Sequence, residues 1–396
     1  MMRWFAYLLL VLSCSSCYMI RAYKVRNFHL TDHERMPSVA IAPSTAPYQF
    51  VDATTNEAYK VLRDYLDTNL SHSLTAGFLV LKNDSIIYER YFNGFNQQSM
   101  LPSFSVAKSF VATLVAIAVD EGKIKSLQEP IIHYLPELYK RDKNFSKITL
   151  QHLLDMKSGL HFNEGSYGLK DDAIKLGFRP NLLKHALKIK IEKEPGGEFN
   201  YQSINTELLA LIVERATGQK ISSYLQQKIW QTMGAAYNAT WNVDSKKHKQ
   251  EIAFAGLNAT ARDFAKLGEL YLHNGQWQSK QIVDAAWIRT VNNADSMSQA
   301  NGYKNQWWSS LNYNFFNDSL TAVAYKNKTP HTTPVRKVNN RYRVGYRSGA
   351  FHAEGILNQY IYVNPHNHVV IVRLGRFWSH PNFYATQFIY QVGQQL

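Results

Sequence analysis

The order of strand-like and helical segments constrains the fold of this chain more than any other feature. Two strand-like runs, 77–81 and 86–91, are separated by a turn signal, and two more, 359–363 and 369–374, lie near the other end. The stretch between them is mainly helical in pattern, and 105–121 has apolar residues at spacings of three and four. This order predicts an α+β fold, in which an antiparallel sheet built from both chain ends is flanked by helices, with a mainly helical second region.

Composition agrees with a large folded unit. The 396 residues are 45% hydrophobic, 13% aromatic and 19% charged, which can fill a sizeable core and excludes disordered, collagen and coiled-coil classes. The formal net charge of +14 suits an anionic partner, but no recognisable nucleic-acid-binding module is present, so we expect no nucleic acid partner. The chain has no G-x-S-x-G, Walker-type or G-x-G-x-x-G sequence, so α/β-hydrolase and nucleotide-binding classes lack support.

The first residues are typical of an export signal. Residues 4–20 are apolar and uncharged, and the run is short for a membrane-spanning helix. Both cysteines, Cys14 and Cys17, lie here after small residues, an arrangement that resembles a bacterial lipoprotein signal. We therefore expect a signal peptide over 1–17, a tether over 18–46 and a folded domain over 47–396, with Cys17 or Cys14 lipidated. The product would be exported and membrane-tethered, at the periplasmic or outer face; the alternative is an uncleaved signal anchor.

The absence of later cysteines limits the chemistry of the folded part. It can have no disulfide, no zinc–thiolate site and no cysteine nucleophile. The sequence His366-Asn367-His368 has a spacing seen in metal sites, but it lies in an expected hairpin turn without a third ligand nearby. We therefore expect no metal site and no cofactor.

Ser105 and Lys108 form an S-x-x-K sequence where the most apolar helical segment begins. Residues three apart share one face of a helix. A serine hydroxyl becomes a good nucleophile when a neighbouring base takes its proton, and burial can lower the pKa of a lysine enough for that role. Taken alone, the pattern is a weak indication, and it also fits a capping serine followed by a surface lysine.

Tyr201 is a second candidate for chemistry. It follows a turn signal over 194–200, rich in Gly and Pro, and precedes a helical segment over 204–217. A phenol at such a junction can reach a cleft beside Lys108, relay a proton to a leaving group and then activate water. The alternative is an aromatic side chain that covers the core.

Together these motifs resemble those of serine β-lactamases of class C type, penicillin-binding proteins and related esterases. That group has S-x-x-K, then Y-x-N or Y-x-S, then a small-residue motif on a late strand. The resemblance covers about residues 75–374 and is nearest to the 6-aminohexanoate-oligomer hydrolase and esterase branch. The third motif of that branch reads like A-x-G-x-x-G-Q, and the chain has A-E-G-I-L-N-Q over 353–359.

The resemblance implies a serine hydrolase, a carboxylesterase or amidase, that cleaves a small-molecule ester or amide. It implies that Ser105 is the nucleophile, Lys108 the general base and Tyr201 the proton relay. The backbone N–H groups of Ser105 and Ile356 are implied as the oxyanion hole. Three further residues are implied to line the cleft: Ser203, Ala353 and Gly355.

The chain departs from this family pattern at three positions. Ala353 stands where β-lactamases carry a Lys or His that helps to hold a carboxylate, Ser203 replaces the commoner asparagine, and Asn358 replaces the second glycine. Two alternatives stay open: a D-alanyl-D-alanine carboxypeptidase or β-lactamase acting at the cell wall, and a non-catalytic cell-wall-binding protein of the same fold.

A basic stretch precedes the third motif. Between Asp318 and Glu354 there is no acidic residue. Seven basic residues occur there: Lys326, Lys328, Arg336, Lys337, Arg341, Arg343 and Arg347. At a cleft mouth these would attract an anionic substrate; the alternative is a solvated loop.

Overall fold

The computed structural model describes residues 18–24, 28–71, 73–292, 302–309, 312–329, 332–377 and 385–396. The expected signal peptide, with Cys14 and Cys17, lies outside these residues. Within the described ranges, none of the helices combines the length and the apolar character needed to cross a membrane.

Helices and strands occur throughout the described residues. The strands are β1 (Ser38–Ile41), β2 (Val51–Asp52), β3 (Thr75–Lys82), β4 (Ser85–Tyr91), β5 (Leu101–Pro102), β6 (Ala239–Asn242), β7 (Leu257–Ala259), β8 (Gln276–Trp277), β9 (Lys280–Gln281), β10 (Tyr303–Lys304), β11 (Trp307–Trp308), β12 (Asn312–Phe316), β13 (Arg336–Val338), β14 (Arg341–Tyr346), β15 (Phe351–Gly355), β16 (Gln359–Asn364) and β17 (Val369–Gly375). The α-helices are α1 (Tyr18–Lys24), α2 (Lys60–Ser71), α3 (Ala107–Asp120), α4 (Pro136–Arg141), α5 (Leu150–Leu154), α6 (Asp172–Phe178), α7 (Leu182–Ala186), α8 (Ser203–Thr217), α9 (Ile221–Leu225), α10 (Ala261–Leu272), α11 (Ala285–Asn292), α12 (Ser319–Lys328) and α13 (Ala385–Gln395).

The largest sheet joins the two ends of the chain. Its eight strands have the spatial order β10-β11-β15-β16-β17-β3-β4-β2, and β17 from the end of the chain pairs antiparallel with β3 from the beginning. This arrangement confirms the predicted α+β fold with a sheet assembled from both chain ends.

Helices cover both faces of this sheet. Successive side chains of a strand point to opposite faces, and accordingly Leu79 packs in the larger core, which includes α10, whereas Phe78 packs in a second core with α13. The helix α10 lies so close to the sheet that a Cβ atom on Gly268 would stand 2.5 Å from Cγ1 of Val370. Glycine at this position therefore permits the close approach of helix and sheet.

The predicted mainly helical region packs around α3. From Ala107 to Ala118 every residue of this helix is buried, and α8 packs against it. A helix that is apolar on all sides belongs in the interior. A four-stranded sheet with the order β1-β6-β7-β5 adjoins the same region, and β5 leads directly into the turn before α3.

The segment expected to be a tether is partly folded. Ser38–Ile41 pairs antiparallel with Ala239–Asn242 at the edge of the four-stranded sheet, and Ile41 is fully buried. The helix α1 packs on α6. The structure therefore differs from the expected boundary near residue 47, because strand pairing is a long-range contact that local composition does not reveal.

Candidate active site

Ser105 lies in a sharp turn at the start of α3. Phe104 has φ +45°, and Phe104–Val106 forms a 3-10 turn that leads into the helix at Ala107. Positive φ is unfavourable for a residue with a large side chain, and strained conformations of this kind cluster at active sites. The Ser105 side chain is half-buried and faces a cleft of about 430 Å³.

Lys108 is buried beneath Ser105. Its Nζ donates hydrogen bonds to Oγ of Ser105 at 2.9 Å and to the carbonyl oxygen of Phe254 at 3.0 Å, and the residue is only 1% exposed. Burial lowers the pKa of Lys108 to about 8, although the negative charges of Glu164 and Glu207 oppose this change. Roughly a tenth of Lys108 is then neutral at pH 7, so it can act as a base.

Tyr201 lies beside Lys108 and Ser105. The Nζ atom of Lys108 is 5.1 Å from the centre of the Tyr201 ring, and that ring stacks on Trp308 with centroids 5.6 Å apart. Desolvation, and next the negative charge of Glu164, raise the pKa of Tyr201 well above its usual value near 10, while a hydrogen-bonding interaction with Ser105 partly offsets the rise. The phenol therefore keeps its proton at neutral pH.

The third motif forms the turn between β15 and β16 and packs against the serine. A Cβ atom on Gly355 would lie 2.4 Å from the carbonyl oxygen of Ser103 and 3.1 Å from the backbone nitrogen of Ser105. Only glycine allows this approach, which brings the adjacent Ile356 into the lining of the cleft beside Ser105. Ser105 and Ile356, the two predicted oxyanion-hole residues, are thus brought together.

Side chains from β16 and β17 hold this turn. The buried Arg373 donates from Nη1 to the carbonyl oxygens of Leu357 at 3.3 Å and Asn358 at 2.6 Å. Gln359 donates from Nε2 to the carbonyl oxygens of Ile356 at 3.3 Å and Gly375 at 2.6 Å. Asn358 has φ +64°, a conformation that asparagine tolerates better than most residues, which explains how it can replace the family's glycine.

Ser203 lines the cleft and donates hydrogen bonds to the carboxylate of Glu164, a residue that the sequence alone did not indicate. The backbone nitrogen of Ser203 donates to Oε2 of Glu164 at 2.5 Å, and its Oγ donates to Oε1 at 2.7 Å. Desolvation raises the pKa of Glu164, while the charge of Lys108 lowers it. Glu164 belongs to no motif; the loop that carries it is held by Asp171, whose Oδ2 accepts from the backbone nitrogens of residues 165, 166 and 167 at 2.9 Å each.

Ala353 does not line the cleft as expected. It is 1% exposed and lies in the larger core, whereas its neighbours Glu354 and Gly355 line the cleft. The strand β15 runs along the edge of the site, so one side chain of this motif faces the core.

The cleft wall also includes residues before β1. Phe28 packs edge-on against Phe104 with centroids 6.1 Å apart and against Tyr167 at 6.0 Å, and His29 and Asp32 also line the cleft. The seven basic residues before the third motif are absent from this lining. The lining instead carries the carboxyl groups of Asp32, Glu164 and Glu354.

The candidate metal sequence of the last hairpin has no support from the described residues. His366 and His368 lie in the turn between β16 and β17, outside the one grouping of possible metal ligands found in the described ranges.

Comparisons with known proteins place the chain in a family. The family model described as Beta-lactamase matches residues 62–387. The 6-aminohexanoate-dimer hydrolase of Paenarthrobacter ureafaciens is 28% identical over 264 aligned residues. The alignment covers 61% of this chain and 66% of that enzyme, so the match spans slightly less than two thirds of each protein. A solved structure from Bacillus anthracis, provisionally named as a 6-aminohexanoate-dimer hydrolase, has 24% sequence identity to this chain and a TM-score of 0.71. The structural alignment covers 94% of this chain and 92% of the Bacillus anthracis chain.

The structure of a class C beta-lactamase is similar in fold, with 16% sequence identity and a TM-score of 0.54. The alignment covers 87% of this chain and 96% of the beta-lactamase chain. The resemblance drawn from the motifs is therefore confirmed. Because the family model spans most of the chain and the similar proteins are named as hydrolases, this protein belongs to the beta-lactamase family of hydrolases and adopts its fold.

Proposed function

We propose that this protein is an exported serine hydrolase that cleaves an ester or amide bond through an acyl-serine intermediate. The observation that carries the proposal is the contact between Lys108 and Ser105: a lysine buried to 1% exposure, with a pKa lowered to about 8, lies 2.9 Å from a serine hydroxyl that faces the cleft. A non-catalytic binding protein would have no use for a buried lysine in this position.

The steps of acylation follow from these positions. Oγ of Ser105 attacks the carbonyl carbon of the substrate, and its proton passes to neutral Lys108. The oxygen that becomes negative accepts hydrogen bonds from the backbone N–H groups of Ser105 and Ile356, an arrangement in which one donor typically contributes ~10²–10³ in rate. The phenol of Tyr201 gives its proton to the leaving alkoxide or amine nitrogen as the carbon–leaving-group bond breaks, and it is reprotonated from Lys108.

Deacylation reverses the proton path. A water molecule attacks the acyl carbon while its proton passes through Tyr201 and Lys108, and the proton returns to Oγ as the bond between Ser105 and the acyl group breaks. The acid product is released, and Ser105, Lys108 and Tyr201 return to their starting protonation states, so the cycle needs no metal or cofactor.

The residues that line the cleft indicate which kind of substrate fits it. Aromatic and aliphatic side chains predominate, among them Phe28, Phe104 and Phe254. The basic stretch is not part of the wall, and carboxyl groups are, so we propose an uncharged, apolar acyl group in place of an anionic substrate.

Active-site labelling tests the proposal. The full chain, solubilised in detergent, is treated with a fluorophosphonate probe and analysed by intact mass spectrometry, and turnover is measured with p-nitrophenyl esters and with a chromogenic cephalosporin. We expect one adduct and ester turnover, both lost in Ser105→Ala, with kcat lower by ~10⁴–10⁶. Ser109→Ala is the matched control, because Ser109 lies one turn further along α3 and its hydroxyl donates to the carbonyl oxygen of Gln306, away from the cleft.

The outcomes separate the alternatives. Cephalosporin turnover that exceeds ester turnover would favour the β-lactamase or carboxypeptidase alternative. An unlabelled, inactive wild-type protein would favour the non-catalytic wall-binding protein and end the proposal.

We further propose that the N-terminal segment anchors the protein after export, through a lipid on Cys17 or Cys14. The first described helix, α1, begins at Tyr18, next to Cys17, and packs on the domain, so a lipid there would hold the domain close to the membrane. Intact masses of the protein extracted from membranes, for the wild type, Cys17→Ala and Cys14→Ala, test this proposal. A mature chain that retains residues 1–13 and carries no lipid would favour the signal-anchor alternative.

A further inference from the structure

A second polar site lies outside the cleft. Asp84, Glu269 and His273 line a cavity of about 250 Å³ together with Tyr48 and Trp277, and none of them lines the cleft of Ser105. Asp84 lies in the turn between β3 and β4. Glu269 lies in the last turns of α10, and His273 follows the end of that helix, four residues further on.

The possible ligand atoms of these three residues converge. Nε2 of His273 is 2.6 Å from Oδ1 of Asp84 and 3.6 Å from Oε2 of Glu269. One atom from each residue can be chosen so that all lie within 4.8 Å of one another, and this is the one such grouping in the part of the chain that the structure describes. Glu269 and His273 have i,i+4 spacing, which places two side chains on one face of a helix, while Asp84 is 189 residues from His273 in the chain.

The second oxygen of Glu269 points independently to a ligand. The Glu269 side chain is 4% exposed, and its Oε1 atom is buried without a hydrogen-bond partner. A buried carboxylate oxygen without a partner is costly, and a bound ion is one of the ways in which such an oxygen is satisfied in native proteins. Its only ion-pair partner among the described side chains, His273, approaches Oε2 instead.

We propose that Asp84, Glu269 and His273 form a binding site for a divalent first-row transition-metal ion, of which Zn²⁺ is the best fit. One imidazole nitrogen and two carboxylate oxygens are typical Zn²⁺ ligands, at about 2.0–2.2 Å from the ion, and water completes the tetrahedron. Ligands of a tetrahedral ion lie ~3.4 Å apart at such bond lengths. Binding therefore requires Oδ1 of Asp84 and Nε2 of His273, now 2.6 Å apart, to separate by less than ~1 Å. Both side chains are partly exposed and line a cavity, so they have room to move by this distance.

The site would join two distant parts of the fold. Metal binding would link the turn of the β3–β4 hairpin to the end of α10, the helix that covers the main sheet, and would stabilise the folded state by mass action. This proposal departs from the sequence-based expectation of no metal, because the three residues are brought together only by the packing of α10 on β3.

Calorimetric titration with ZnCl₂ tests the site in the full-length protein after treatment with a chelator. We expect one saturable site whose Kd increases at least ~10-fold in His273→Gln, in Glu269→Gln and in Asp84→Asn. Removing a ligand should also abolish the increase in the thermal unfolding midpoint that Zn²⁺ causes in the wild type.

His133→Gln is the matched control. His133 and Glu129 form an i,i+4 pair 3.5 Å apart, but they belong to no three-ligand grouping within the described ranges. We expect its Zn²⁺ titration to match that of the wild type. The proposal is overturned if the wild type shows no saturable site, or if His273→Gln and Asp84→Asn bind Zn²⁺ as the wild type does. Should Glu269→Gln fail to fold by circular dichroism, the other two variants, which alter partly exposed side chains, still decide.

Discussion

Gly355 lies directly against the backbone of Ser105. A Cβ atom added to Gly355 would stand 3.1 Å from the backbone nitrogen of Ser105 and 2.4 Å from the carbonyl oxygen of Ser103. Two motifs 250 residues apart in the chain thus form one site, in which the nucleophile comes from the start of a buried helix and its partner from a strand turn of the main sheet.

The first prediction concerns this contact. In Gly355→Ala the new methyl group collides with the Ser103 carbonyl and pushes the turn that carries Ile356 away from the serine. Because the oxyanion hole then loses a correctly placed donor, we expect kcat for p-nitrophenyl esters to fall by ~10²–10³. Gly197→Ala is the control, since a Cβ atom there meets only the carbonyl oxygen of Glu194, at 3.7 Å. An unchanged kcat in a folded Gly355→Ala protein would contradict this account of the turn.

The second prediction is a pH dependence set by Lys108. Because burial lowers the pKa of its ammonium group to about 8, the neutral base is scarce below that pH and abundant above it. We expect kcat/KM to rise about tenfold per pH unit below pH 8 and to level off above it. Lys108→Arg should be inactive throughout the range, because arginine does not release its proton. A profile that is flat from pH 6 to 9 would show that Lys108 is not the base.

The third prediction concerns the carboxylate of Glu164. Its negative charge favours the protonated form of Lys108 and so raises the pKa of that lysine. In Glu164→Gln this charge is absent, and we expect the rising part of the kcat/KM profile to move to lower pH. The exposed Glu198, which pairs with Lys193 at 2.6 Å, offers a control in Glu198→Gln with an unchanged profile. A move of the Glu164→Gln profile to higher pH would have the wrong sign for this electrostatic explanation.

The fourth prediction concerns the residues before β2. A chain that begins at residue 47 loses β1, the partner of β6, together with the buried Leu30 and Ile41. Loss of two such core side chains costs at least ~2 kcal/mol of unfolding free energy, so we expect a thermal midpoint lower by several degrees. A chain that begins at residue 28 keeps β1 and serves as the comparison. Equal midpoints for the two truncated proteins, measured by scanning fluorimetry, would mean that the segment is a tether after all.

Much of the fold could be predicted from local pattern. The hairpin over 77–91 and the strands over 359–374 have the apolar β-branched runs of buried strands, and α3 is an apolar segment that ends before Gly122. The start of α10 is likewise a local feature, since Oγ1 of Thr260 accepts a hydrogen bond from the backbone nitrogen of Asp263, three residues later. These features depend on neighbours within about four residues, which the sequence presents directly.

The candidate site was only partly predictable. Ser105, Lys108 and Tyr201 have short motifs, and the structure brings them together, although their catalytic roles stay predictions. Glu164 has no motif, because its place beside Lys108 and Ser203 depends on how a loop folds over the cleft. The same holds for Phe28, which reaches the cleft from a segment that composition alone marks as a tether.

The sequence by itself determined the main strands at the two chain ends and the buried helix α3, and it indicated a serine, a lysine and a tyrosine as candidates for acyl-transfer chemistry, because these features depend on side-chain type and short spacing. Only the tertiary structure decided which charged residues line the cleft and how deeply Lys108 is buried, which lowers its pKa. It also decided the path of the N-terminal segment and the proximity of Asp84 to Glu269 and His273. Desolvation and long-range contacts produce each of these properties, and they arise only when distant parts of the chain pack together.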